Sequence, residues 1–139
     1  MKHALPFTLA AALLAAPAVA DESAEAAADQ PTAGEIELAE LLEGREAGEP
    51  VRCLRHGQRD RLTVVDNTAL VFRDGKTLYV NRPKGARFLN DWDIPVFHQF
   101  SSSLCALDRV EMHDRFSRIG GPVLFLGEFV PYTKPAKEG

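Results

Sequence analysis

Apolar and β-branched residues dominate the stretch 69–81, which reads Ala-Leu-Val-Phe-Arg-Asp-Gly-Lys-Thr-Leu-Tyr-Val-Asn. The dipeptide Asp74-Gly75 near its centre is typical of a two-residue β-hairpin turn. With that turn Val71 faces Leu78, and both faces of the hairpin are largely apolar. With a three-residue turn and a bulge, the register shifts by one and one face becomes polar. Either register predicts a hairpin that belongs to the core.

Shorter apolar segments on both sides of the hairpin predict further strands, at 51–54, 62–66 and 108–113. In the last of these, polar and apolar residues alternate, as in a half-buried strand. The run 123–130 is apolar at odd and even positions, which predicts a single central strand that Pro131 ends.

One helix is predicted from Glu35 to Glu43, because apolar residues recur there at helical spacing and Gly44 follows. The residues of its apolar edge are Ile36, Ala39, Leu41 and Leu42. Together these elements predict a mainly β fold, a small antiparallel barrel or a two-layer sandwich of five or six strands with one short N-terminal helix.

The segment between the hairpin and residue 100 lacks a clear period and mixes aromatic with charged residues. We interpret it as a long connection held by buried aromatic side chains. Connections of this length are uncommon inside a compact domain and are often functional. Its aromatic residues are Phe88, Trp92, Phe97 and Phe100.

Residues 1–20 combine Lys2, a short apolar run and a terminal Ala-Val-Ala, the pattern of a cleaved export signal. We therefore predict a periplasmic or secreted protein with no transmembrane segment after signal cleavage. The remaining chain divides by composition into an acidic disordered leader at 21–34, a single β-rich domain at 35–133 and a flexible tail at 134–139.

Charge is distributed unevenly along the exported chain. Residues 21–50 contain ten acidic residues and one basic residue, whereas residues 51–139 contain fourteen basic and ten acidic residues. The mildly basic domain makes an anionic envelope polymer a candidate partner. Nucleic acid is not expected, because the chain has no motif that interleaves aromatic and basic residues.

The chain has two cysteines, Cys53 and Cys105. An even count in an exported domain predicts one disulfide bond. A redox or nucleophilic cysteine is the alternative, but neither residue belongs to a C-x-x-C motif.

Candidate chemistry is sparse. Asp91 and Asp93 flank Trp92, and His98 and His113 could join them in a periplasmic hydrolase or a metal-dependent enzyme. The histidines stand in no metal-binding motif, so the sequence assigns no catalytic, cofactor-binding or metal-binding residue and implies no cofactor.

The order of several short motifs resembles that of a family of small exported proteobacterial proteins of unknown function. The resemblance extends from Leu41 to Tyr132 and implies the domain limits and the paired cysteines, but no activity. The motifs are Leu41-Leu42-Glu43-Gly44-Arg45, Leu78-Tyr79-Val80-Asn81-Arg82-Pro83, Ser103-Leu104-Cys105 and Phe129-Val130-Pro131-Tyr132.

The sequence therefore favours a non-enzymatic binding or interaction module of the cell envelope, whose partner is another envelope protein. Trp92 is the predicted anchor, because large aromatic side chains dominate protein contacts. An inhibitor of a secreted hydrolase is a further alternative. The candidate interaction surface consists of Phe88, Asp91, Trp92, Asp93 and His98.

Overall fold

The computed structural model describes residues 30–137, so the predicted signal peptide and most of the predicted leader lie outside the described residues. In the described range the chain is mainly β with one α-helix, as predicted. Helix α1 spans Ala33–Leu41, and short 3-10 helices lie at His56–Gln58 and Ala86–Phe88. The strands are β1 (Glu46–Ala47), β2 (Cys53–Leu54), β3 (Arg61–Val65), β4 (Ala69–Asp74), β5 (Thr77–Asn81), β6 (Ile94–His98), β7 (Leu104–Cys105), β8 (Arg109–His113), β9 (Gly120–Phe125) and β10 (Phe129–Thr133).

The strands form three antiparallel sheets that do not close into a barrel. The five-stranded sheet has the order β1-β10-β5-β4-β3, and the three-stranded sheet has the order β6-β8-β9. Strands β2 and β7 pair with each other. This arrangement is consistent with the predicted sandwich. It contains more strands than the five or six predicted, because β1, β6 and β7 were not predicted and the run 123–130 divides into two strands.

The core consists of two clusters on opposite faces of the β4–β5 hairpin. The larger cluster includes Leu70 and Phe72 of β4 together with Val110 and Met112 of β8, the two residues predicted to point inward from that strand. The smaller cluster lies under α1 and consists of Leu38, Val65, Ala69, Val71, Leu78 and Val80. Both faces of the hairpin are therefore apolar and buried.

The hairpin turn has two residues, but they are Gly75 and Lys76 and not the predicted Asp74 and Gly75. Gly75 has a φ of 54°, a conformation that glycine adopts without steric cost. Val71 consequently pairs with Val80 and not with Leu78. The turn lies one residue later in the chain, so each residue of β4 pairs two residues further along β5. Because side chains alternate with a period of two, each residue keeps the face predicted for a two-residue turn.

Helix α1 begins two residues earlier than predicted, because the Thr32 hydroxyl caps it by accepting a hydrogen bond from the Glu35 N–H at 3.2 Å. It packs through Leu38 and Gly34, whereas Ile36 of the predicted apolar edge is exposed. A Cβ at Gly34 would overlap the Thr68 hydroxyl and the carbonyl oxygen of Asp66. This close backbone approach, which the apolar spacing does not reveal, decides which face docks.

The predicted connection before residue 100 contains strand β6, and its buried anchor is Leu89. Phe88, Trp92 and Phe100 are exposed, so the prediction of buried aromatic side chains is wrong for these three. Pro95 lies inside β6, which is at the edge of its sheet, where a missing N–H is tolerated.

The predicted single strand 123–130 is two strands in two sheets, β9 and β10. The chain crosses between the sheets at Gly127, whose N–H donates to Asn81 Oδ1 at 3.0 Å. Asn81 Nδ2 in turn donates to the Gly127 carbonyl oxygen at 2.7 Å. Asn81 is fully buried at the end of β5, so its side chain supplies the partners that a continuous strand would have found in a neighbouring strand.

Pro131 lies inside β10, although the sequence predicted that it ends the strand. Its carbonyl oxygen accepts a hydrogen bond from the Gly48 N–H at 2.7 Å. The nitrogen and carbonyl of one residue in an extended strand point to the same side. The missing N–H therefore faces Gly48, and the pairing of β10 with β5 continues without interruption.

The predicted disulfide between Cys53 and Cys105 is present. It joins β2 to β7, where the two cysteines are directly paired and Leu54 pairs with Leu104 beneath them. Both leucines are fully buried. Within residues 30–137, no helix has the length and apolar character needed to cross a membrane.

Candidate binding site

The segment 89–93, here the tryptophan loop, has a backbone fixed by hydrogen bonds. The carbonyl oxygen of Leu89 accepts from the Asn67 N–H at 3.0 Å. The N–H of Asp91 donates to Asp66 Oδ1 at 2.6 Å, and that of Trp92 donates to the Asn90 side chain at 3.0 Å. The Trp92 side chain is nevertheless 66% exposed. A large apolar side chain is thus presented to solvent from an ordered backbone.

The connection between β8 and β9, residues 114–119, forms a second ordered loop, here the hairpin tip. Asp114 Oδ1 accepts hydrogen bonds from the N–H groups of Phe116 (3.0 Å) and Ser117 (2.7 Å) and from the Ser117 hydroxyl (2.9 Å). The Arg118 N–H donates to the Asp114 carbonyl oxygen at 3.0 Å. Phe116 is 84% exposed and Ile119 is 70% exposed. The tip therefore holds two apolar side chains away from the core.

Arg115 connects the two loops. Its Nε donates to the Trp92 carbonyl oxygen at 2.9 Å, and its Cζ lies 6.0 Å from the centroid of the Trp92 ring. That distance is at the outer limit of a cation–π contact. The tryptophan loop and the hairpin tip are consequently neighbours, although their sequences are more than twenty residues apart.

Asp114 makes the order of the hairpin tip sensitive to acid. The hydrogen bonds from Ser117 and Phe116 favour the carboxylate and lower the pKa of Asp114 below its ordinary value. Their contribution is complete above the ordinary aspartate pKa and is lost as the pH falls through the lowered value. We expect the amide proton shifts of Phe116 and Ser117 to be constant at neutral pH and to move in strong acid, as an NMR titration would record.

The control is Asp114→Ala, in which no carboxylate at position 114 can titrate and change the shifts of these two amides. Their shifts should differ from those of the wild type at neutral pH and should not titrate in acid. Titration of both amides at the same midpoint in the variant would show that another group orders the hairpin tip.

Two shallow depressions adjoin the tryptophan loop. Asp91 and Asp93 line one of about 490 Å³ together with Pro95 and Arg115. Phe88 and Asp93 line another of about 440 Å³ together with Pro122. The structure thus brings Phe88, Asp91, Trp92 and Asp93 of the predicted interaction surface into one region.

His98 is not part of that region. It ends β6, about 13 Å along the extended strand from Ile94, which follows Asp93. Its Nε2 lies 3.3 Å from Glu111 Oε2, and the Nε2 of His113 lies 3.4 Å from Glu111 Oε1. The two histidines of the proposed enzyme thus meet at Glu111, a residue that the sequence analysis did not select, and not at the two aspartates.

A glycine makes room for this carboxylate. A Cβ at Gly120 would overlap Glu111 Oε1, and a bulge interrupts the β8–β9 pairing between Glu111 and His113. Among the residues that the structure describes, no group of three or more histidine, cysteine, aspartate or glutamate side chains is arranged to hold a metal ion.

No family model matches the chain, and no curated protein or solved structure matches it either. The candidate site is therefore defined by its own geometry. Sequence reasoning selected Trp92 but missed Phe116 and Ile119, which stand in a connection rich in arginine. The Asp114-x-x-Ser117 spacing, typical of a turn closed by an aspartate side chain, was the local signal for an ordered loop there.

Proposed function

We propose that this chain is a non-enzymatic binding domain of the cell envelope, and that its partner is another envelope protein. The partner docks on the exposed side chains of the tryptophan loop and the hairpin tip. The observation that carries the proposal is the exposure of Trp92, Phe116 and Ile119 on two hydrogen-bonded loops that Arg115 joins.

The physical argument concerns the cost of ordering a binding surface. Large aromatic side chains bury about 150–250 Å² each and carry much of the free energy of protein association. Association is weakened when loops must be ordered on binding. In this protein Asp114 and Asn90 hold the backbone that presents Phe116 and Trp92, so that cost is reduced.

Export to the envelope is part of the proposal. The disulfide between Cys53 and Cys105 supports it, because such bonds persist in oxidising compartments. The signal-like residues 1–20 and the resemblance to small exported proteobacterial proteins agree with this location.

The proposal is tested by capturing proteins from the envelope fraction of the cells in which this protein naturally occurs. The purified chain is the bait, and mass spectrometry identifies the captured proteins. Trp92→Ala and Phe116→Ala should each weaken capture of a specific partner by about tenfold or more, as expected for central aromatic contacts. Phe100→Ala is the matched control, because Phe100 is exposed but lies outside both loops.

Equal capture by all variants would refute the proposed surface. Equal loss in Phe100→Ala would indicate unspecific adhesion of exposed aromatic side chains and would also contradict the proposal. In every variant, an unchanged thermal unfolding midpoint must first show that the fold is intact.

A hydrolase inhibitor is the second candidate, and the order of the hairpin tip favours it. Inhibitory loops must keep one conformation while a hydrolase contacts them. If the captured partner is a secreted hydrolase, the wild-type chain should reduce its activity and Phe116→Ala should not. Capture of a partner with no hydrolytic activity would exclude this second candidate.

A further inference from the structure

A groove with an unusual concentration of positive charge lies at the turn of the β4–β5 hairpin. Its volume is about 690 Å³, within the range of small-molecule sites. Five of its nine lining residues are cationic and none is acidic. We call it the basic groove, and its cationic residues are Arg45, Arg73, Lys76, Lys134 and Lys137.

Three segments distant in sequence build this groove. Arg45 follows α1, Arg73 lies near the end of β4, Lys76 belongs to the hairpin turn, and Lys134 and Lys137 follow β10. The Arg45 Nη1 donates to the carbonyl oxygen of Lys76 and, at 3.5 Å, to that of Tyr132. These bonds to the hairpin turn and to β10 hold one guanidinium at the junction of all three segments.

The positive charges have no acidic partners in the part of the chain that the structure describes. Within residues 30–137, none of the five cationic groups lies within 4.0 Å of a carboxylate, since the ion pairs there involve only Arg82, His98 and His113. Arg73 also lies directly opposite Arg61 in the β3–β4 pairing. Like charges directly opposite each other in a sheet are destabilising. A bound anion would relieve this repulsion.

We propose that the basic groove binds a ligand that carries two or more phosphate groups. Arginine forms paired hydrogen bonds to phosphate oxygens, and lysine adds compact positive charge. A phosphate monoester carries a charge of about −1.5 to −2 at neutral pH, so one leaves most of the five positive charges unbalanced, whereas two supply about −3 to −4. The aliphatic parts of the lysines, with Pro135 and Ala136, provide an apolar wall for the rest of the ligand.

This site is separate from the proposed protein-binding surface. Asp66, which contacts the tryptophan loop, precedes the start of β4, whereas Gly75 of the groove follows its end. The six residues of β4 separate them by about 17 Å. The anion site therefore stands whether or not an envelope protein binds at Trp92.

The test uses inorganic tripolyphosphate as the probe and isothermal titration calorimetry of the purified full chain. Replacing both Arg73 and Lys76 by glutamine should weaken binding at least tenfold. The matched control replaces Lys84 and Arg87 by glutamine, which removes the same charge outside the groove and should change affinity less than threefold. NMR shifts on titration should concentrate at residues 44–45, 73–76 and 134–137.

Two outcomes would overturn the proposal. One is the absence of tripolyphosphate binding at low salt, and the other is equal weakening in both double variants, which would indicate only a general attraction to net positive charge.

Vesicles of phosphatidylcholine with and without phosphatidic acid then distinguish a lipid source of the phosphate groups from a soluble one. Groove-dependent sedimentation with the phosphatidic acid vesicles supports a lipid surface that presents several headgroup phosphates together, and binding of tripolyphosphate alone supports a soluble ligand.

Discussion

Replacing both Cys53 and Cys105 by serine is expected to lower the free energy of unfolding by about 4 kcal/mol. The bond joins residues separated by 52 positions, so its loss returns considerable conformational entropy to the unfolded chain. Domains of this kind have a total stability of about 5–15 kcal/mol. The paired strands that the bond crosses are only two residues long, so hydrogen bonds alone hold them weakly.

Urea denaturation followed by circular dichroism measures this effect. The dependence on urea should also become steeper in the double variant, because its unfolded chain is less compact. Reductant should bring the wild type to the stability of the variant and leave the variant itself unchanged. A loss below about 1 kcal/mol would mean that strain in the native bond offsets most of the entropic gain.

Asn81→Ala is expected to lower the free energy of unfolding by about 3 kcal/mol. The fully buried side chain satisfies both the N–H and the carbonyl oxygen of Gly127 and approaches the Glu128 carbonyl oxygen at 3.4 Å. Removing it leaves the N–H and the carbonyl oxygen of Gly127, at the crossover between β9 and β10, without these side-chain partners. The loss should be accompanied by faster hydrogen exchange of the Gly127 amide, measured by NMR.

Two further variants separate the hydrogen bonds of the Asn81 side chain from the volume that this side chain fills. Asn81→Leu fills nearly the same space but cannot bond to Gly127, so it should be about as destabilising as the alanine variant. Thr77→Ala, at a half-buried position on the same strand, should change stability by less than about 0.5 kcal/mol. Near wild-type stability of Asn81→Leu would show that packing, and not hydrogen bonding, is what Asn81 contributes.

The candidate site shows how far local sequence carries an argument about function. Trp92 could be selected because it is a large aromatic residue among turn-forming polar residues. The exposure of Phe116 and Ile119 could not be predicted, because an apolar residue in a connection is buried or exposed according to what packs over it. The link through Arg115 depends on the pairing of β6 with β8, which places the two loops side by side.

The basic groove also could not be predicted from the local sequence. The sequence analysis noted a mildly basic domain, but net charge does not reveal where charges gather. Arg45 and Lys137 are 92 positions apart, and they line one groove because β1 and the segment after β10 lie at the same end of the five-stranded sheet. Clusters of this kind arise from topology and not from spacing along the chain.

The sequence by itself determined the mainly β fold, the inward residues of β8, the place of the central hairpin in the core and the pairing of the cysteines. Alternation of side chains is a local property of an extended backbone, so it survives a shift of the turn by one residue. Only the tertiary structure decided that 123–130 divides into two strands and that Pro95 and Pro131 lie inside strands. Those outcomes depend on which neighbour satisfies each backbone group, and the neighbours come from distant parts of the chain.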